Sequence, residues 1–181
     1  MKVFQVKEYR ITVRRAPKYT LNSMDNLSYD RVFNMFGEDD ESDYTTVSVL
    51  IERGEEDDEP KEYAFLVPYY TQVDDCALPA GDDIFFMFCD RLCLFDPATG
   101  KIVKQTTIQP WVPIMFEAYA YQDDFILYGE TDIFRISPDL SVQWNFCCGR
   151  DIFVRPMEKG AAFEMKSAGY VCTIGKTITM N

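Results

Sequence analysis

Asp83 and Asp124 open two stretches that read alike, 41 residues apart. In the first, Asp82-Asp83 is followed by IFFMF, a break at Cys89-Asp90, RLCLF, the turn Asp96-Pro-Ala-Thr-Gly100 and KIVKQTTI. In the second, Asp123-Asp124 is followed by FILYG, a break at Glu130-Thr131, DIFRI, the turn Ser137-Pro-Asp-Leu140 and SVQWNF. Each unit reads as strand, tight break, strand, proline-containing turn, strand. A weaker third copy runs AAFEMK, Ser167-Ala168-Gly169, YVCTI, Gly175-Lys176, TITM. A further strand is expected ahead of each copy, at Tyr63–Val67, Ile114–Tyr121 and Ile152–Arg155. Fixed-period self-similarity is the mark of a stacked or radial architecture. The alternative is a plain antiparallel protein whose hairpins look alike because hairpin geometry is repetitive.

The segment RLCLFDPATGK at 91–101 places Leu92, Phe95, Asp96, Thr99, Gly100 and Lys101 in the order L-x-x-[FL]-D-x-x-T-G-K. It resembles the blade repeat of quinoprotein-like β-propellers, and Trp144 near the end of the second copy is in the same manner. The resemblance covers roughly residues 63–181. It implies four-stranded antiparallel meanders. A closed propeller takes about four to eight blades, so three copies imply an open or curled sheet of two to three blades. The family's cofactor ligands have no counterpart in this sequence, and no cofactor or metal is expected.

The first 62 residues read differently. Residues 2–6 and 9–15 alternate apolar and polar side chains and predict strands. Ser28 is placed to cap a short helix over Tyr29–Phe36, with Val32, Phe33 and Phe36 on one face and Gly37 at its end. Residues 45–52, TTVSVLIE, are β-branched and predict a strand. Residues 53–61 form an acidic hairpin loop, and residues 62–70 return as a strand. Pro68 argues that this strand is an edge or is near its end. The expected fold is therefore mainly β, with one short N-terminal helix. It forms a single domain over 1–181, with the blade-like repeats from 63 onward.

The net charge is −12, and it is unevenly placed. Residues 38–62 hold twelve acids and two bases, whereas residues 1–37 carry a net +4. The excess sits in two short segments: Glu38, Asp39, Asp40, Glu41 and Asp43, then Glu55, Glu56, Asp57, Asp58 and Glu59. Such a chain does not suit nucleic acid, whose binders meet phosphates with Lys and Arg. It suits a basic protein partner, since clustered acid steers association with cationic surfaces. Tyr44 and Tyr63, beside the acidic segments, are candidate aromatic anchors. The segments also read as solvating loops. A calcium site is a poorer fit, because no ordered D-x-D-x-D-G loop is present.

Catalytic constellations are scarce. The chain has no histidine, which excludes Ser-His-Asp and Cys-His nucleophiles and imidazole metal sites. No phosphate-binding loop, dinucleotide fingerprint or nucleophile elbow occurs. Glu130, between apolar strands, would need Arg135 or Arg150 as an ion-pair partner if buried. The six cysteines read as reduced, buried thiols. A zinc site from Cys89, Cys93, Cys147 and Cys148 is the alternative, at spacings unlike structural zinc clamps.

The longest apolar run is Ile84–Cys89, six residues against the ~20 that span a bilayer. No secretory h-region is visible near the N-terminus. A cytoplasmic protein with no membrane contact is expected. Its function is expected to be protein binding through an electronegative surface, in concrete form an immunity-type protein that neutralises a basic toxin domain. The alternatives are a structural β-domain that joins a larger assembly through aromatic anchors such as Trp111, Tyr119 or Tyr121 and, less well supported, a small enzyme using carboxylates only.

Overall fold

The computed structural model describes residues 1–35, 43–54 and 59–147, together with the backbone of three strands between 153 and 174. Among the described residues there are sixteen strands in four sheets, none of them closed.

The N-terminal sheet holds β1 (Lys2–Val6), β2 (Tyr9–Ala16), β3 (Arg31–Asn34), β4 (Tyr44–Arg53) and β5 (Lys61–Pro68). Its spatial order is β1-β2-β4-β5-β3. Pro68 ends β5, where its missing N–H costs no ladder bond. Alternation explains the inner face: Ile11, Val13, Val47, Val49, Tyr63, Phe65 and Val67 are all buried.

The helix expected over Tyr29–Phe36 is not formed by its described residues. Arg31–Asn34 is instead a strand, paired parallel with β5 from Arg31↔Tyr63 to Asn34↔Leu66. Phe33 and Met35 are buried on either side of exposed Asn34, a period of two rather than 3.6. Phe33 stacks on Phe65 at 4.8 Å between ring centroids and meets Phe95 edge-on at 5.8 Å. That packing overrides the weak capping signal at Ser28. Phe36 and Gly37 lie outside the described residues.

The connection from β2 to β3 crosses the outer face of this sheet, so Thr46, Ser48, Ala64 and Leu66 are buried there too. Tyr19 N–H donates to Thr46 Oγ1 at 2.9 Å, and Tyr44 hydroxyl donates to the Tyr19 carbonyl at 2.7 Å. Beneath the crossing, Arg14 Nη2 donates to Glu62 Oε1 at 2.9 Å, and Ser48 hydroxyl donates to the same carboxylate. The Tyr29 hydroxyl is buried without a hydrogen-bond partner, and burial, then Glu62, raises its pKa.

Two four-stranded meanders follow. The first is β6 (Ala77–Ala80), β7 (Asp83–Phe88), β8 (Arg91–Asp96) and β9 (Lys101–Thr107). The second is β10 (Met115–Tyr121), β11 (Asp124–Gly129), β12 (Asp132–Ile136) and β13 (Val142–Cys147). A three-stranded sheet of β14 (Phe153–Pro156), β15 (Phe163–Ser167) and β16 (Tyr170–Ile174) comes last.

The strand ahead of the first copy is β6, not Tyr63–Val67, which lies within β5 of the N-terminal sheet. ALPA is short and carries Pro79 on an edge, so it gives almost no strand signal.

The 41-residue period survives in backbone detail. Gly81 and Gln122 occupy it with φ of 62° and 54°, each opening the tight turn into an Asp-initiated strand. The register of β8 with β9 shifts between Leu94 and Phe95, and that of β12 with β13 between Arg135 and Ile136. Those two bulges are one period apart.

The meanders stack. Ile84, Phe86 and Phe88 of β7 pack with the N-terminal sheet, while Phe85 and Met87 pack with β10–β12. Phe85 stacks on Phe125 at 4.2 Å with 12° between ring planes. The unbroken IFFMF run is therefore a strand buried on both faces.

The Pro-containing turns are held by carboxylates. Asp96 accepts from Ala98 N–H at 2.8 Å and from Thr99 hydroxyl at 2.6 Å. Partial burial raises the pKa of the Asp96 carboxyl, but these donors outweigh it and hold it below the usual range. Asp139 accepts from the Ser137 and Ser141 hydroxyls and from Ser141 N–H, which draw its pKa down from 3.8 to about 2. A carboxyl whose pKa is depressed on folding stabilises the fold above its unfolded value, and loses that contribution as pH falls through the folded value. Asp139→Asn is expected to shrink the stability difference between pH 3.8 and about 2, and to change little below that window. Urea melts of both chains across the window measure it. An unchanged acid limb would show that the turn contributes nothing through Asp139.

Candidate protein-binding surface

The two acidic segments leave the N-terminal sheet at opposite ends of β4. Asp43 precedes Tyr44, which pairs with Pro68 at one end, whereas Glu59 lies beyond the Ile51↔Lys61 pair at the other. A ten-residue strand separates them by roughly 30 Å. Asp43 and Glu59, the described acids of the two segments, therefore lie at opposite ends of β4. Glu38, Asp39, Asp40, Glu41, Glu55, Glu56, Asp57 and Asp58 lie outside the described residues.

Asp43 projects into solvent with its side chain 86% exposed, 3.8 Å from Lys18 Nζ. Lys18 also lies over the Tyr44 ring at 4.6 Å. Tyr44 is half-buried, and its hydroxyl holds the crossing connection in place. Tyr63, expected as an exposed anchor, is in the core instead. It is 4% exposed and packs edge-on against Phe95 at 5.2 Å. It alternates with Ala64 and Phe65 in a strand whose two faces are both covered, so adjacency to acid in sequence says nothing of its exposure.

At the opposite end, exposed Glu59 lines a cleft of about 170 Å³ with Tyr9, Ile51, Arg53, Lys61 and Ala98. Arg53 is 3.7 Å from Glu8. Other bases of this half are also matched: Lys7 with Asp82 at 2.7 Å, Arg10 with Glu52 at 2.6 Å and Arg14 with Glu62 at 2.9 Å.

Of the two partners expected for Glu130, Arg150 lies outside the described residues and Arg135 pairs elsewhere. Arg135 Nε donates to Asp124 Oδ2 at 2.5 Å and lies over the Tyr121 ring. The deeply buried carboxylate is Asp132, 2% exposed. It accepts from Trp111 N–H at 2.8 Å and from Thr131 hydroxyl at 2.5 Å, while Val112 N–H reaches Thr131 Oγ1 at 3.3 Å. Trp111 is therefore fixed through its backbone while its side chain stays in solvent, at 78% exposure for the residue. Pro110 and Pro113 flank it. Tyr119 and Tyr121, the other candidate anchors, are half-buried in an aromatic cluster around Ile126 and Ile133.

A second displayed feature is the crossing connection itself. Asn26 accepts from Thr20 N–H at 2.8 Å and donates to the Thr20 and Ser23 carbonyls at 2.6 and 3.0 Å. The loop so tied exposes Leu21, Met24 and Leu27. Nothing in hydropathy alone marks Asn26 or Asp132. Their role is to satisfy backbone groups, which only the fold brings to them.

Cys76, Cys89 and Cys93 are buried thiols, and Cys147 is exposed. Burial pushes the Cys76 thiol up to about 12 and raises Cys93 as well. Among the described residues no group of three or more His, Cys, Asp or Glu is placed to hold a metal, and no helix is long and apolar enough to cross a membrane.

No protein-family model matches the chain, and no curated protein matches it. Among solved structures it is similar to the crystal structure of BamB from Moraxella catarrhalis, at 14% identity and a TM-score of 0.40. The match covers 79% of this chain and 45% of that one, so this chain spans less than half the length of that structure.

Proposed function

We propose that this protein is a cytoplasmic protein-binding module whose electronegative surface receives a basic partner, in concrete form an immunity-type protein set against a basic toxin domain. The observation that carries this is the placement of charge. The chain is −12, residues 38–62 hold twelve acids against two bases, and Lys7, Arg10, Arg14 and Arg53 face carboxylates that lie outside the two acidic segments. Acid gathered in short segments at two strand ends raises the encounter rate with cationic surfaces and discourages anionic ones. No catalytic residue is part of the proposal. We also infer that the meanders are blades of the quinoprotein-like kind. The Asp96-centred turn and the shared period of turns and bulges support this.

The test replaces Glu55, Glu56, Asp57, Asp58 and Glu59 by their amides. Proteins retained from source-cell lysate by each immobilised chain are eluted in a salt gradient and identified by mass spectrometry. One basic protein is expected to leave the parent chain between low and moderate salt, with affinity for the amide variant lower by on the order of tenfold. The same protein leaving both chains at the same salt would refute the electrostatic reading.

The scaffold reading has one observation in its favour. Trp111 is a rigid, solvent-exposed aromatic of the type that anchors interfaces. A partner that stays bound through high salt and is lost from Trp111→Ala would establish it instead.

A further inference from the structure

Tyr44 and Tyr63 stand beside the acidic segments in sequence, and the fold withdraws both: one holds the crossing connection and the other lies in the core. Two other tyrosines are displayed instead. Tyr69 and Tyr70 are 55% and 62% exposed. They are the central residues of a turn closed by Thr71 N–H, which donates to the Pro68 carbonyl at 3.0 Å. Both ends of that turn are fixed. Pro68 is the last residue of β5, and Thr71 is buried with its hydroxyl 3.6 Å from Cys89 Sγ. Gln72 Nε2 also donates to the Tyr70 carbonyl, at 3.3 Å. The two rings form an edge-to-face pair, with 80° between planes and 5.8 Å between centroids. The turn carries the ladder of β4 and β5 one step further. Beyond the Tyr44↔Pro68 pair, Tyr69 N–H donates to the Asp43 carbonyl at 3.3 Å. That bond sets Asp43 and Tyr69 opposite one another, where cross-strand side chains stand about 5 Å apart at Cβ.

We propose that Tyr69, Tyr70 and Asp43 form a recognition site for an arginine side chain of the basic partner. The site rests on the electronegative reading above and names what that partner presents. The guanidinium lies flat on a tyrosine face while its N–H fork meets the Asp43 carboxylate. Arginine suits both contacts better than lysine, whose ammonium is a compact and strongly hydrated point charge. The chain itself shows the chemistry on a smaller scale. Lys18 Nζ lies 3.8 Å from Asp43 Oδ1 and 4.6 Å from the Tyr44 ring centroid, so a cation already rests between this carboxylate and a tyrosine face. Lys18 is 56% exposed, and an ion pair that open contributes little. Tyrosine and arginine are enriched among the residues that anchor interfaces. A tyrosine held on a closed turn gives its contact area at little cost in conformational freedom. Clustered acid steers a partner without fixing where it stops, and the ring pair fixes it at the Asp43 end of β4.

The probe is fluorescein-labelled hexa-arginine, with labelled hexa-lysine as its charge-matched control. Each is titrated with the full chain at one low salt concentration and read by fluorescence anisotropy. Hexa-arginine is expected to bind the parent more tightly than hexa-lysine by about two- to fivefold. The double variant Tyr69→Leu/Tyr70→Leu is expected to lose about two- to fivefold in affinity for hexa-arginine, and with it most of the preference over hexa-lysine. Tyr69→Phe/Tyr70→Phe keeps both rings and is expected to stay within about twofold of the parent. Neither double variant alters the net charge, so the ring is the only thing compared. Both tyrosines are exposed, so the three chains are expected to melt together. Asp43→Asn removes the acceptor of the fork and is expected to reduce the preference for arginine as well. Leucine variants that bind hexa-arginine as tightly as the parent, or that lose hexa-lysine in equal measure, would overturn the site. So would a parent chain that binds neither peptide. The amide variant of residues 55–59 separates this site from the reading it rests on. If that variant loses affinity for both peptides while the leucine variant loses none, the electronegative surface stands and the tyrosine site falls.

Discussion

Phe65→Ala is expected to lower the stability of the fold by about 3–5 kcal/mol, the range for emptying a buried aromatic site. Phe65 is fully buried in β5, and its ring touches Phe33, Phe86, Phe88 and Phe95 at centroid distances of 4.8 to 5.6 Å. Phe33 belongs to the N-terminal sheet and the other three to the first meander, so the ring joins the two. Removing it leaves a void walled by stiff rings that cannot close over it. Urea denaturation measures the loss, with Phe65→Leu as a milder companion. A loss below about 1 kcal/mol for the alanine variant would mean that the two sheets are held together elsewhere.

Gly100→Ala is expected to cost roughly 2–5 kcal/mol, far more than one methyl group suggests. Gly100 has φ of 65°, where an L side chain costs about 1–2 kcal/mol. A Cβ built there would also run into the Tyr63 hydroxyl oxygen and lie 2.6 Å from the ring carbon that bears it. That ring is buried against Phe33 and Phe95 and cannot move freely, which adds about 1–3 kcal/mol of overpacking. Gly81→Ala is the matched control. Its φ is 62°, but nothing lies within 4 Å of the added Cβ. It is expected to show the backbone cost alone. Equal losses at the two positions would mean that Tyr63 does not press on Gly100.

The same residues show how much could be read without coordinates. The strands of both meanders other than β6, the Asp96 turn with its glycine, and the acidic hairpin between β4 and β5 follow from alternation, β-branching and turn chemistry. These are local signals. β6 was not legible, because four residues with a proline carry too little pattern. The helix expected at 29–36 failed for a related reason. Val32, Phe33 and Phe36 fit one helical face, but Phe33 and Met35 fit a strand equally well, and only the Phe65 and Phe95 rings decide between them. Tyr63 was misplaced because both faces of β5 are covered, one of them by a loop more than thirty residues earlier in the chain. Of the candidate surface, the charge was visible, as was the strand over 45–52 that parts its two segments; the Lys18–Asp43 pair was not, because the fold makes it across distant parts of the chain. Asp132 and Asn26 were invisible as supports, because the groups they satisfy are remote backbone atoms.

The crossing connection over the N-terminal sheet has one more consequence. It covers the outer face of that sheet with Tyr19, whose N–H is bonded to Thr46 Oγ1, and with Tyr29 beside it. A further meander laid on that face would have to displace the connection and find new partners for Thr46, Ser48 and the Arg14–Glu62 pair. Growth of the stack by duplication of a 41-residue unit is therefore closed on that side.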